Sequence, residues 1–272
     1  MNIIKYPRTW HVEGSRLQLG DLSDDKPIVE LRGQFLIIEE KVDGANSGIS
    51  FQSDGTPKLQ SRGHFLVGGY RERHFDLLKT WVSVHAPRLF EALGTRYIMY
   101  GEWMYAKHTV FYDQLAHYFL EFDVYDCAVH RFLSSIARRD LLKGLPVMPA
   151  PIVYQGIIAT KFDIKALVKP SIYKSENWRS SLAIAAEKSG SRSDFVEKQT
   201  ENSNMAEGVY LKLEDGAIVT DRFKYVRGDF LQAIEASDGH WQDRPILPNG
   251  LAAGVDIFAP VLGVKGAYDE RL

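Results

Sequence analysis

Three features of the 272-residue chain predict an α+β fold whose core is carried by largely antiparallel sheets flanked by helices. Short β-branched and aromatic runs bounded by Gly, Asp or Asn recur along most of its length. Helical periodicity is confined to a few segments, and strands do not alternate with helices in the β-α-β order that a parallel sheet requires. Length sets a bound: 272 residues are long for one domain and short for two full ones, so one large core with a small appendage is expected.

The elements follow in chain order. QFLIIEEKV (34–42) is an apolar strand ending in two acids and a lysine, and the turn residues Asp43 and Gly44 separate it from the strand NSGISFQ (46–52). HFDLLKTWVSVHAPRLFEAL (74–93) has apolar residues at helical spacing. RYIMYGEWMY (96–105) and HYFLEFDVYD (117–126) are aromatic-rich strands, and SIARRDLLKGL (135–145) is a short helix. Between LPVMPAPIVYQG (145–156) and ENSNMAEG (201–208) lies a mostly helical insertion. It comprises IKALVKPSI (164–172), interrupted by Pro170, and a helical pattern over 175–199. Strands resume with EGVYLKL (207–213) and AIVTDRFKYV (217–226). Residues 1–228 read as the main domain and 229–272 as a tail or small subdomain, too short for an oligonucleotide-binding barrel. With Trp241, Arg244 and a Pro/Gly-rich stretch, the tail is expected to fold back on the main domain.

Composition narrows the function. At 45% hydrophobic and 25% charged, with no apolar run of membrane-spanning length, the chain is expected to be globular, with no membrane partner. MNIIKYPRTWHVEGSRLQLGDLSDD lacks the apolar core of a secretory signal, and the single Cys127 forms no internal disulfide; a cytoplasmic monomer is expected. A net charge of −2 advertises no nucleic-acid partner. Local basic stretches nonetheless recur at 61–74, 131–140 and 221–227. His108 and His117 lack carboxylate or cysteine partners at ligand spacing and read as packed or surface residues; GHFLVGGY (63–70) is a loop without dinucleotide-binding context.

The isolated lysine in EEKVDGANSG (39–48) is the candidate chemical group. A lysine at the mouth of a sheet, desolvated and near cations or a metal, loses its proton more readily and becomes an amine nucleophile. Downstream come SRG (61–63), YGEW (100–103), FLEFDVYD (119–126), EGVYLK (207–212) and RFKYVR (222–227), each at or near a strand. Arg222 and Lys224, two apart in one strand, project from one face as a phosphate clamp would. Strict alternation puts Glu207 and Lys212 on opposite faces unless a bulge or strand end intervenes.

In this order, over about residues 35–228, the series resembles the covalent nucleotidyltransferase superfamily of polynucleotide ligases and mRNA capping enzymes. Glu40 and Asn46 bring it closest to the phage-type RNA ligases that seal nicks in duplex RNA. The resemblance implies a nucleotidyltransferase (adenylation) domain, ATP, Mg²⁺ or Mn²⁺, and RNA ends in nicked or base-paired RNA as partners. It implies Lys41 as the catalytic nucleophile, and Glu40, Asn46, Arg62, Glu102, Phe122, Arg222 and Lys224 at the nucleotide, with Glu102 on the ribose and Phe122 stacked on the purine. Glu207 is implied at the metal, with Asp43, Asp123 and Lys212 in secondary roles. Relatives generally carry lysine where Arg222 stands. The implied reaction joins a 5′-phosphate to a 3′-hydroxyl through lysyl-AMP and an adenylated end. The alternatives are a DNA-joining ligase of the same superfamily and a noncatalytic nucleic-acid-binding relative.

Overall fold

The computed structural model describes residues 3–17, 21, 25–158, 162–230 and 245–260. Its strands are β1 (Trp10–Val12), β2 (Asp25–Lys26), β3 (Phe35–Lys41), β4 (Ala45–Phe51), β5 (Pro57–Ser61), β6 (Tyr97–Trp103), β7 (Phe119–Asp126), β8 (Arg131–Leu133), β9 (Met148–Pro149), β10 (Ile152–Ile157), β11 (Gly208–Asp215) and β12 (Ile218–Val226). Helices α1 (Asp76–Leu93), α2 (Ser135–Leu142), α3 (Trp178–Lys188) and α4 (Ser193–Lys198) complete the set. The expected long helix over 175–199 is thus two, because Gly190 between them adopts φ 70°, outside the helical region. The IKALVKPSI segment forms one 3₁₀ turn, Ile164–Leu167, rather than an α-helix. Among the described residues no helix is long and apolar enough to cross a membrane.

The strands form one mixed sheet in the order β10-β3-β11-β12-β8-β7-β6-β4-β5, antiparallel along this path, with β1 and β9 added in parallel. The chain imposes a curl on it. Only residues 42–44 join β3 to β4, yet β11, β12, β8, β7 and β6 lie between these two strands along the sheet. The sheet must bend round until its β3 and β4 regions meet at that turn. Gly44 permits the closure: a Cβ there would lie 2.7 Å from Met104 Sδ and 2.8 Å from the Trp103 carbonyl oxygen.

The largest core lies beneath α1, whose Leu78, Trp81, Val82, His85, Leu89 and Leu93 recur at helical spacing and pack near β4–β6. A second core, with Leu36, Ile38, Leu211 and Phe223, covers the opposite face of β3-β11-β12.

The described part of the tail, 245–260, is built into the main domain. Asn249, 2% exposed, donates to the Met104 carbonyl (2.7 Å) and accepts from the Tyr112 amide (3.0 Å). Tyr118 donates to the Asn249 carbonyl at 2.8 Å, and the Trp81 indole donates to the Ile257 carbonyl at 2.9 Å. Phe230 and Ile257 lie in the α1 core, and Leu247 packs with Phe111 and Trp178. Trp241 and Arg244 lie outside the described residues. These contacts bring the tail back onto the main domain and make its side chains part of that domain's core. Each buried side chain of this size is worth roughly 2–5 kcal/mol, so losing three consumes most of a domain's roughly 5–15 kcal/mol. A chain ended at Gly228 is expected to be insoluble or to lack a cooperative melt, which solubility and circular dichroism against the full chain would test.

Candidate active site

Register sets the central pair. Gly208, the first residue of β11, pairs with Lys41, the last of β3, so Glu207 stands beside the lysine just before its own strand begins. Gly208 also has to be glycine, since a Cβ there would lie 1.9 Å from the Tyr225 carbonyl oxygen. Lys41 Nζ meets Glu207 Oε1 at 2.6 Å, and the lysine side chain keeps 22% exposure, enough to be reached from solvent. Because Glu207 precedes the strand, alternation does not bind it. The strand end that the alternation argument allowed for does intervene: Glu207 stands beside Lys41 while Lys212 pairs with Ile37 and Arg222 on the strand face that also carries Lys41 and Lys224.

Glu102 in β6 and Asn46 in β4 are paired neighbours, and the Glu102 carboxylate acts on Lys41 from across the curled sheet. Asp43 is fixed in the turn: one of its oxygens accepts from the Thr109 and Val110 amides, both at 2.7 Å, and its own amide donates to the Tyr112 hydroxyl at 2.9 Å. His108, read from sequence as a packed or surface residue, is packed, with Nδ1 4.0 Å from Asp43. His117 is a packed core residue, accepting from the Phe119 amide, and burial holds its pKa down at about 4.

Electrostatics set the charge of Lys41 in the free site. Burial pulls the Lys41 ammonium downward, but Glu207, Glu102 and Asp43 outweigh it, and the pKa is raised rather than lowered. The carboxylates bear the reciprocal stress. Burial pushes Glu102 and Glu207 up to about 7, against the pull of Lys41 on each. Glu207 Oε2 is buried and makes no hydrogen bond. Arg62, exposed just beyond β5, is close enough to oppose the rise at Glu102.

The supposed clamp divides. Lys224 pairs with Asp21 at 2.7 Å, and Asp21 also binds the buried His11 at 2.9 Å; burial and neighbouring Lys41 contribute to a lowered Lys224 pKa, which the pair with Asp21 opposes. Arg222 instead lies 3.7 Å from Asp123 and over the Phe132 ring at 3.8 Å. Phe122 is half-buried, edge-on to Tyr6 and parallel to Tyr210 with centroids 6.5 Å apart. Glu40 points away from Lys41, into the opposite side of β3, where it accepts from Ser171 Oγ at 2.5 Å.

Beneath the lysine lies a buried ion network that sequence reading missed. Arg138 of α2 bonds Glu121 of β7 at 2.7 Å and Glu39 of β3 at 2.8 Å, each group at most 3% exposed. Lys212 bonds Glu39 at 2.7 Å and lies 3.6 Å from Asp123, which accepts from Tyr6 at 2.5 Å. Burial would raise Asp123, but Lys212, Arg222 and Arg138 reverse this and hold it below the usual carboxylate range. The available signal was the acids inside apolar strands, Glu39 and Glu121, which must be paired if buried. Nothing in the α2 sequence marks Arg138 as their partner.

A hard-oxygen donor set suits Mg²⁺ or Mn²⁺, and an unbonded buried oxygen on Glu207 is consistent with one. Among the described residues no group of three His, Cys, Asp or Glu residues is placed to hold a metal ion.

Glu40 yields a pH test. Burial, partly offset by the Ser171 hydrogen bond, lifts its pKa from 4.5 to about 7. Its contribution to stability is therefore full below about pH 4.5 and lost as pH rises through about 7, a loss on the order of 3 kcal/mol. Glu40→Gln removes that ionisation while keeping an acceptor for Ser171. Parent and variant are expected to melt together near pH 5 and the variant higher near pH 8, by thermal unfolding.

A family model described as RNA ligase matches residues 34–226. Comparison with curated proteins gives no match. Among solved structures, a point variant of Naegleria gruberi RNA ligase with ATP and Mn aligns at TM-score 0.50 and 18% identity, covering 86% of this chain and 64% of that one. A second variant with ATP and Mn aligns at 0.49 and 18%, covering 82% and 61%. The chain thus spans less than two thirds of the length of these structures, and at such identity the likeness concerns the fold.

Proposed function

The chain belongs to the RNA ligase family, and on that premise we propose that it is an ATP-dependent enzyme joining RNA 5′-phosphate to 3′-hydroxyl ends through a lysyl-AMP intermediate. The observation that carries the proposal is the reachable Lys41 at the end of β3, 2.6 Å from Glu207 and flanked by Glu102, Asp43 and the Lys224 cation. ATP and Mn accompany the similar ligase structures.

Lys41 Nζ attacks the α-phosphorus of ATP, forming a P–N bond as the bond to pyrophosphate breaks. The ammonium must first release a proton. In the free site three carboxylates hold that proton on; once their charge is engaged by other cations, the opposing effect of burial prevails and favours the neutral amine. Glu207, aided by Glu102, would hold a divalent cation whose charge neutralises phosphate oxygens when bound. Lys224 and Arg62 supply further positive charge, with Lys224 leaving Asp21 to do so. Asn46 and Glu102 orient the ribose, and Phe122 supplies a ring for the purine. Glu40, on the opposite side of β3 and bonded to Ser171, supports the strand that carries Lys41 rather than touching the nucleotide. Asp123, Lys212 and Arg222 hold the floor.

AMP then passes to an RNA 5′-phosphate, re-forming the lysine amine. A 3′-hydroxyl attacks that phosphorus, closing the phosphodiester and releasing AMP. The phage-type branch, nicked or base-paired RNA as substrate, and action as a cytoplasmic monomer belong to the same proposal.

Incubation with ATP and Mg²⁺ is expected to add one AMP mass through an acid-labile bond, and Lys41→Ala to abolish it by intact-mass spectrometry; an undiminished adduct in the variant would overturn Lys41 as nucleophile. Parallel joining assays on nicked RNA, nicked DNA and mixed duplexes test the acceptor, with RNA expected to be sealed best.

A further inference from the structure

The two most exposed large hydrophobic side chains among the described residues are three apart on one loop: Val67 at 88% and Tyr70 at 76% exposure. We propose that this loop, residues 62–73, is the surface that grips the RNA strand beside the end being joined, with Tyr70 stacking on a base and its arginines taking phosphates. The proposal rests on the RNA-joining reading above and adds the polymer-binding surface.

The loop is held in shape from below. The Leu66 amide donates to the Leu59 carbonyl at 2.8 Å, the Ser61 amide to the His64 carbonyl at 2.9 Å, and Phe65 bridges to Gln60. Glu72, the loop's only acid, is 7% exposed, and its carboxylate accepts from the Gly68 amide at 2.7 Å, the Val67 amide at 3.2 Å and Lys79 Nζ at 3.1 Å. The loop's negative charge is thereby turned inward and neutralised. What it presents outward is Arg62, His64, Val67, Tyr70 and Arg71, with the Arg73 guanidinium 4.3 Å over the Tyr70 ring. In a chain of net charge −2, a strip with cations, an upright ring and no exposed acid is specific.

Chemistry selects the partner. Single-stranded nucleic acid is gripped by aromatic faces for bases and cations for phosphates, and an arginine stacked on a ring strengthens such a platform. A protein groove would want further apolar neighbours around Val67 and Tyr70, whereas the loop surrounds them with arginine and histidine. Location agrees: the loop starts at Arg62, whose charge acts on Glu102, which in turn acts on Lys41. RNA lying along it would arrive with its end at the lysine.

The test separates gripping from nucleotide chemistry. Arg62 is left intact. Tyr70→Ala and Arg71→Glu are compared with the parent and with Arg192→Ala, an exposed arginine in the helical insertion. Fluorescence anisotropy with labelled 5′-phosphorylated RNA, single-stranded and as a nicked duplex, reads affinity across a salt series. Both loop variants are expected to weaken RNA binding about tenfold while lysyl-AMP formation stays within about twofold of the parent. Arg71→Glu alone should flatten the slope of log K against log salt, by about 0.7–0.9 for each phosphate that is no longer neutralised. Loop variants that bind RNA as the parent does, or that weaken no more than Arg192→Ala, overturn the proposal. A parent that neither labels with ATP nor joins RNA overturns the underlying ligase reading instead.

Discussion

Arg138 is the interaction on which the rest depends. Its guanidinium, 3% exposed, joins Glu121 of β7 to Glu39 of β3, strands from the two sides of the curled sheet. Lys212, Asp123 and Arg222 extend the network, so three acids and three bases share one buried region. Each such charge is costly to desolvate alone, and removing one partner from a buried pair costs roughly 3–5 kcal/mol. The network therefore specifies one closure of the sheet: in any other, at least one of these charges is stranded. Glu39 is two residues before Lys41 on the same strand face, so what fixes Glu39 also fixes the base of the lysine.

Above that floor the site is over-supplied with negative charge. Glu207 and Glu102 reach about pKa 7 through burial while the lysine they surround is held in its charged form. An arrangement so unfavourable to itself is suited to cationic company, whether a metal or the basic groups nearby. Asp21 shows the complementary logic, with a carboxylate seated on the Lys224 cation.

Much of this was legible because it is local. The main strands, α1 and the strand-end position of Lys41 follow from period-2 and period-3.6 patterns and turn residues, and the spacing of short motifs along those strands carried the family resemblance. What escaped was set by distant partners. Alternation says which face Glu40 occupies but not that Ser171, far along the chain, waits there. It left the side of Glu207 open, because only the structure shows that β11 starts at Gly208 and that Glu207, just outside the strand, escapes its alternation. The spacing of Arg222 and Lys224 did place them on one face, yet their partners, Asp123 and Asp21, lie on elements that no local pattern links to them. The tail was expected to fold back, but its anchor was hidden for the same reason, since Asn249 acts through the backbone of residues that give no sign of needing it.

The turn at Gly44 carries a consequence for biosynthesis. Lys41 is made well before the strand that pairs with it, which begins only at Gly208, and the segment that pins the 104–118 region follows later still. Contacts so remote in sequence close late. Until that strand is made, a nascent chain carries Lys41 with no pocket around it, as an ordinary solvated lysine. The carboxylates that hold its charge, Glu102 and Glu207, come together around it only once residues far along the chain have folded.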